Sequence, residues 1–252
     1  MEFGLRLDSL PVAGGLSSID DGMVVTPFAL RLFWDAYAVV YDAIWDSVLT
    51  QRVGELLSRE VRRVRRRAVT GRIVDLGCGT GLGAQSLADG NEKVVGVDTS
   101  GAMLRRAERL GRIDVGVRSD VVATGLPTSL ADVVLVGNVL QVHATPASVL
   151  AEAARLLVAG GLMVCVWPRE GLTLSGLLLA DLFLGRSILG SLGAALLRLC
   201  VGVCGALVGA RMQSGAAVER AVLSWADGAG RKLLASGIAH DVSRYVVVQV
   251  WK

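Results

Sequence analysis

The sequence predicts an α/β protein built on a doubly wound, mostly parallel β-sheet. Three observations carry this. From residue 72 onward, short and continuously apolar runs alternate with helix-patterned segments; a glycine loop follows the first run; an acidic residue ends the second. Continuous apolar strands separated by helices read as a parallel sheet covered on both faces, joined by right-handed crossovers.

The elements follow in order. Residues 1 to about 27 are mixed and contain Gly and Pro, and read as a loose arm or short cap. Pro27 to Val69 turns helical, with Leu49, Val53, Leu56 and Leu57 at spacings near the helical period. Arg72–Leu76 is the first strand, and Gly83–Ala88 begins the helix after its glycine loop. Lys93–Val97 is the second strand and runs into Asp98; Ser100 is placed to N-cap a helix through Leu110. Ile113–Val117 and Asp132–Val136 are the third and fourth strands. Pro146–Val158 is a helix with Thr145 at its N-cap and Pro146 at its first position, stopped by Gly160-Gly161. Leu162–Trp167 is the fifth strand, and Tyr245–Val250 a last strand near the sheet edge. The 252 residues suit one α/β domain with an elaboration. The division is 1–69 (arm and cap helices), 70–168 (ligand-binding core), 169–230 (apolar helical insertion) and 231–252 (helix and strand completing the sheet).

Composition narrows the function classes. A hydrophobic fraction of 52% against 19% charged residues predicts a packed core. A net charge of +3 is far from the dense cationic surface that nucleic-acid binding favours. The run Arg62–Arg67 has no aromatic stacking platform beside it and reads as a solvated helix face. Cys78, Cys165, Cys200 and Cys204 form no Cys-x-x-Cys pair, and only His143 and His240 stand beside them, so no metal site is expected. Free thiols suit a reducing, cytoplasmic setting, and the first residues do not read as a signal peptide.

The central signal is Val74-Asp75-Leu76-Gly77-Cys78-Gly79-Thr80-Gly81. Glycines at alternating positions after a strand let the backbone turn sharply and come close to a ligand. Asp98 stands at the end of the next strand, 17 positions after Gly81, where a carboxylate can accept the hydroxyls of a ribose. The register is not that of a nicotinamide site, since Leu82 stands where the third glycine belongs, and no lysine makes it a P-loop.

These residues resemble the class I S-adenosylmethionine-dependent methyltransferases, of the small-molecule type related to ubiquinone/menaquinone-biosynthesis methyltransferases. VDLGCGTG (74–81), VVGVDTSGAML (94–104), SDVVATGLPTSLADVVLVGNVLQVH (119–143) and RLLVAGGLMVCVWP (155–168) occur in the family order across about 100 residues. The resemblance implies a Rossmann-like, seven-stranded sheet with N-terminal helices, a helical lid, and S-adenosyl-L-methionine as cofactor. It implies that Gly77, Cys78, Gly79 and Gly81 line the methionine part, that Asp75 orients the loop or meets the ammonium group, and that Asp98 holds the ribose. Thr99 and Met103 would flank the adenine, Asp120 and Val121 would meet its amino edge, and Asn138 would stand near the amino-acid end. Tyr41, within YDAIWDSV, resembles a Tyr-Asp element that closes over the cofactor. Two departures stand out: the penultimate strand of the usual terminal hairpin is short, and Val121-Val122 replaces smaller or polar residues at the adenine edge.

Other readings of single residues remain. Asp75 also suits a cap on loop amides, Asp120 a turn cap, and Cys78 a small filler of the loop. Cys200 and Cys204 share a helix face as small apolar residues. His143 is the histidine nearest the expected reaction centre, as a general base or as a solvated loop residue.

The mean hydropathy of +0.54 owes its excess to residues 171–210. Asp181, Arg186 and Arg198 interrupt this segment, leaving uncharged stretches (187–197 and 199–210) too short to span a bilayer. An apolar lid implies an apolar or amphipathic small-molecule substrate, or else burial against a membrane surface or a second copy of the chain. The tetrapeptide Gly137-Asn138-Val139-Leu140 is not the clamp of nucleic-acid base methyltransferases, which favours a small-molecule acceptor. The expected function is methyl transfer to such a metabolite, the alternative being a non-methylating reaction of the same cofactor.

Overall fold

Alternate residues along the strands pack into two different cores, which is why the apolar runs carry no polar face. This computed structural model describes residues 27–64, 71–88, 90, 92–169, 174–183, 187–207, 212–236 and 246–252. Ile73, Val133, Leu135, Val164 and Val166 belong to one core, and Val74, Leu76, Val134, Val136, Met163 and Cys165 to the other. The strands are β1 (Arg72–Leu76), β2 (Lys93–Asp98), β3 (Val115–Arg118), β4 (Ala131–Gly137), β5 (Leu157–Pro168), β6 (Leu233–Ser236) and β7 (Val246–Trp251). They form one sheet in the order β3-β2-β1-β4-β5-β7-β6. β1 to β5 are mutually parallel, and β7 lies antiparallel between β5 and β6. The mostly parallel seven-stranded sheet expected from the sequence therefore forms, with its penultimate strand short.

Helices cover both faces. α3 (Val48–Val64), α4 (Leu82–Leu87) and α5 (Gly101–Arg109) contribute Leu56, Leu57, Ala84, Leu104 and Ala107 to the first core. α6 (Pro146–Leu156) and α9 (Gly215–Gly228) contribute Val149, Leu150, Ala153, Val218 and Val222 to the second. A third cluster joins α1 (Pro27–Tyr37) and α2 (Tyr41–Trp45) to Met103 through Tyr37, Ala38 and Ile44.

Some boundaries differ from those expected. β3 starts at Val115, because Ile113 turns into the core beside Gly96 and the Asp114 carboxylate takes the Val94 N–H at 2.8 Å. α6 ends at Leu156. Ala131 then pairs with Leu157 and Val133 with Leu162, so β5 carries an irregularity around Gly160, whose φ is +80°. Ser100 caps α5 as expected, its hydroxyl accepting the Met103 N–H at 3.1 Å. Thr145 stands at the N-cap of α6, but its hydroxyl turns to His143 and caps nothing. The predicted arm over 1–26, Arg65–Arg67, Arg186 and Tyr245 lie outside the described residues.

The apolar insertion forms α7 (Leu174–Phe183) and α8 (Ile188–Leu207), which pack on each other. Here the expectation of segments too short to span a bilayer is corrected. Arg198 does not break the helix: its side chain turns inward, bonding Asp181 at 2.9 Å and the carbonyl of Ile44 at 3.1 Å. Ile188, Leu192, Leu196, Leu199 and Val203 then form an exposed face with no charge in it. By length and composition alone, Ile188–Ala206 is long and apolar enough to cross a membrane, and 17% of its most apolar window is buried.

Candidate cofactor site

The order of strands reverses between β1 and β4, and that crevice at the carboxyl ends is where doubly wound sheets hold ligands. The loop from Gly77 to Gly81 leaves β1 there. Gly77, Gly79 and Gly81 have φ of +69°, +53° and +81°, a region that side chains other than glycine's rarely tolerate. The N–H groups of Gly77 and Cys78 both reach the carbonyl of Val97, at 2.7 and 3.0 Å, and tie the loop to the end of β2.

Two acids stand beneath this loop. Asp98 accepts the N–H of Gly79 at 2.9 Å and of Ser100 at 2.8 Å. Burial raises its carboxyl above the usual range, against the pull of those N–H groups. Asp75 is 2% exposed. Burial, and then the neighbouring Asp98, push its carboxyl up to about 8, with only the Ala84 N–H lowering it. Asp75 is thus a buried acid that stays protonated at neutral pH until a cation meets it.

The N-terminal helices roof the loop. Tyr41 lies over Gly79, where a Cβ would stand 3.7 Å from the phenol's Cζ. Its ring meets Tyr37 edge-on, with centroids 5.2 Å apart, and burial raises its phenol. Trp45 donates its indole N–H to the Tyr37 hydroxyl. Tyr41, Trp45, Val53, Leu57, Asp75, Gly77, Leu135, Asn138 and Val166 line a cleft of about 650 Å³, counting its open mouth.

The remaining predicted residues take several positions. The missing side chain of Gly81 faces α5, where a Cβ would stand 2.7 Å from the Cβ of Arg112. Cys78 is buried with its sulfur against Gly96, and burial raises its thiol. Thr99 is exposed, with its carbonyl accepting from Arg118 at 3.2 Å. Met103 is buried within the cluster of Tyr37 and Ile44. Asn138 is exposed at the cleft with φ of +57°. Asp120 faces Nε2 of His143 at 3.7 Å, and that contact holds its carboxyl below the usual range; Val121 beside it is buried in the second core. Nδ1 of His143 accepts the N–H of Thr145 at 3.1 Å. A backbone N–H only donates, so the neutral ring carries its proton on Nε2, toward Asp120.

Sequence reasoning missed a cluster of charges behind the loop. Asp42, beside Tyr41, accepts from the hydroxyl of Thr80 at 2.7 Å, from Nη1 of Arg112 at 2.9 Å, and from Nε of Arg106. Burial pushes its carboxyl up, but these three donors outweigh it and hold the group below the ordinary value. Asp35 likewise accepts from the Ser100 hydroxyl and from the N–H of Ala102 at 3.1 Å, docking α1 on the start of α5. The Tyr-Asp dipeptide was the only hint; nothing in the spacing links 42 to 106 and 112.

Residues 74–165 match a family described as a methyltransferase domain. Over 100 residues the chain is 35% identical to a ubiquinone biosynthesis O-methyltransferase of Maricaulis maris, covering 37% of this chain and 39% of that one. Its fold is similar to that of an S-adenosylmethionine-dependent methyltransferase of Leishmania major, with a TM-score of 0.60 and 13% identity over 92% of this chain and 87% of that one. It is also similar to the 1,6-didemethyltoxoflavin-N1-methyltransferase of Burkholderia thailandensis, solved with 1,6-didemethyltoxoflavin and S-adenosylhomocysteine bound (TM-score 0.57, 14% identity, 92% of each chain). At such identities the likeness is one of fold. The chain spans less than half the length of the curated relatives it matches.

Proposed function

We propose that this chain, which carries a class I methyltransferase domain over residues 74–165, transfers the methyl group of S-adenosylmethionine to a small apolar or amphipathic acceptor. The observation that carries the reading is the glycine loop at the β1–β4 crevice, held from below by Asp98 and roofed by Tyr41.

The residues present fit the cofactor's chemistry. Its ribose needs acceptors for two hydroxyls, and Asp98 offers a carboxylate at a strand end. Its ammonium needs an anion, and Asp75 is a buried acid that a cation would ionise. Its methionine chain needs a close backbone, and Gly77 and Gly79 leave that room; Cys78 supports the loop from the side of Gly96 and Gly81 from the side of Arg112. Thr99 and Met103 would flank the adenine, with Asp120 and Val121 at its amino edge. Asn138, which lines the cleft, would stand near the cofactor's amino-acid end.

When bound, the cofactor supplies a methyl group already activated on a sulfonium. The protein's share is then alignment and exclusion of water. Tyr41 and Trp45 close the cleft from above, while Leu135 and Val166 form an apolar floor beside Asp75 and Asn138. With Nδ1 of His143 accepting the Thr145 N–H and Nε2 facing Asp120, the geometry favours a role in orienting Asp120 over one as general base.

The aliphatic cleft wall and the exposed face of α7 and α8 support an apolar acceptor, one that the chain would collect in contact with a membrane surface or within a second copy. Calorimetric titration with S-adenosylmethionine and S-adenosylhomocysteine is the first test, and absence of binding to folded protein rejects the reading. Methyl-labelled cofactor is then incubated with a cell extract. Label in the organic phase, with S-adenosylhomocysteine formed, supports it. Label confined to water-soluble products rejects the apolar acceptor, and methylthioadenosine or an unmethylated isomer identifies the non-methylating alternative.

A further inference from the structure

α2 is only five residues long, has no side-chain cap, and buries just Asp42 and Ile44. So short a helix does not hold itself, yet it places Tyr41 over Gly79. What fixes it is the carboxylate of Asp42. That group is 9% exposed and takes three donors from two other parts of the chain: Thr80 within the glycine loop, and Arg106 and Arg112 at the end of α5 and just beyond it.

Arg112 binds both sides at once. The same Nη1 that donates to Asp42 reaches the carbonyl of Thr80 at 3.2 Å, and Nη2 stands 3.7 Å from Asp46, also beside α2. The side chain of Arg112 is 10% exposed, so these charge-assisted bonds are little screened by salt. Its approach requires the third glycine of the loop, because any Cβ at Gly81 would meet the Cβ of Arg112. Gly81 thus serves the cluster behind the loop, whereas Gly79 faces the roof. Tyr41 directly precedes Asp42, so the three donors on the carboxylate fix the backbone from which the ring reaches over Gly79.

We propose that Asp42 is a positioning residue, latched through Arg112 and Thr80, that sets how long the cofactor stays bound by holding Tyr41 down on the glycine loop. The latch touches no cofactor and acts through Tyr41 and the loop. It rests on the cofactor reading above only for its effect on binding, since the latch itself is present in the ligand-free protein.

The test uses the full chain and two readouts. Hydrogen exchange on ligand-free protein compares wild type with Asp42→Asn, Arg112→Gln and the double variant. Faster exchange across both 41–47 and 78–81 in each variant is expected; unchanged exchange in either segment overturns the latch. Stopped-flow tryptophan fluorescence and calorimetry with S-adenosylhomocysteine then follow dissociation. The single variants should release it at least about ten times faster, with association within about threefold, and the double variant should be no faster than the singles, as expected for one shared interaction. A lowered melting temperature with unchanged dissociation would mean a merely structural ion pair and overturns the proposal. If Asp42→Asn does not fold, Thr80→Val combined with Arg112→Gln removes both ties of the latch to the loop, and dissociation unchanged in that variant is equally decisive. Failure of wild type to bind rejects the cofactor reading instead, and the exchange experiment still decides the latch.

Discussion

Asp98 accepts the N–H of Gly79 at 2.9 Å, so the acid expected to hold a ribose also holds the glycine loop in shape. Its other oxygen takes the N–H of Ser100 at 2.8 Å, and the carboxylate keeps acceptor capacity for a ligand. Asp98→Ala therefore removes two things at once. Affinity for S-adenosylhomocysteine should fall by about 100-fold or more, the loss expected of charge-assisted bonds, and the ligand-free melting temperature should fall too. Asp98→Asn keeps an acceptor and should lie between. Calorimetry beside thermal melting checks this, and equal binding by wild type and Asp98→Ala would remove Asp98 from the site.

Asp75 makes a prediction about pH. Its carboxyl is raised to about 8 in the folded, ligand-free protein, from an ordinary 3.8. For a raised acid the unfolded chain binds fewer protons between those values, so stability is full below about pH 4 and is lost as pH rises through about 8. Asp75→Asn removes that cost while keeping an acceptor for the Ala84 N–H. Melted at pH 8, the variant should exceed wild type by at least about 2–4 °C, the shift that 1 kcal/mol makes in a chain of this size, and the difference should vanish near pH 4. Binding of a cationic ligand should release a proton, read as a dependence of binding enthalpy on the buffer's own ionisation heat.

Two glycines with positive φ separate strain from crowding. At Gly111, φ is +64° with open space around a Cβ, so Gly111→Ala should cost about 1–2 kcal/mol of backbone strain. At Gly81 the same strain is joined by a contact with the Cβ of Arg112, which no rotamer relieves. Gly81→Ala should cost at least about twice as much. Denaturant midpoints measured side by side test the ranking, and equal shifts would contradict it.

The tautomer of His143 bears on catalysis. A general base contributes about 10²–10⁴-fold to rate. With Nδ1 occupied by the Thr145 N–H and Nε2 facing Asp120, His143→Gln should leave kcat within about threefold and raise KM for the cofactor through Asp120. A hundredfold loss of kcat at unchanged KM would restore the general-base role.

The pair Asp181–Arg198 joins α7 to α8, and the same guanidinium ties α8 to α2 through the carbonyl of Ile44. Arg198 also lies over the Trp45 ring, 5.2 Å from its centroid, so the insertion and the cleft wall share one guanidinium. Arg198→Met strips Asp181 of that partner in a buried site and should destabilise by about 3–5 kcal/mol, while adding Asp181→Leu should recover most of it. Urea unfolding of both variants checks the pattern.

Much of the fold was legible because burial on both faces leaves a plain trace: the buried positions of β1, β2 and β4 are apolar or glycine except Asp75, and Gly77–Gly81 marks the turn from β1 into α4. The ends of β3 and β5 were misread, since Ile113 and Gly160 look like strand start and helix stop until their neighbours are known. Ion pairs carry no period, so Asp42 and Arg112, 70 positions apart, could not be joined from sequence. Arg198 was visible as a charge, but the direction of a side chain is set by Asp181 and Ile44, not by composition.

The place of β7 has a consequence for synthesis. β5 is almost wholly buried along residues 161–167, and on the side away from β4 its residues 163–168 pair, among the described residues, with 246–251. A growing polypeptide must therefore emerge from the ribosome through Trp251 before that edge is covered, and until then it offers a long sticky ribbon to other nascent chains. Chaperones that shield such ribbons would find this protein a client for the interval in which those last strand residues are still in the exit tunnel.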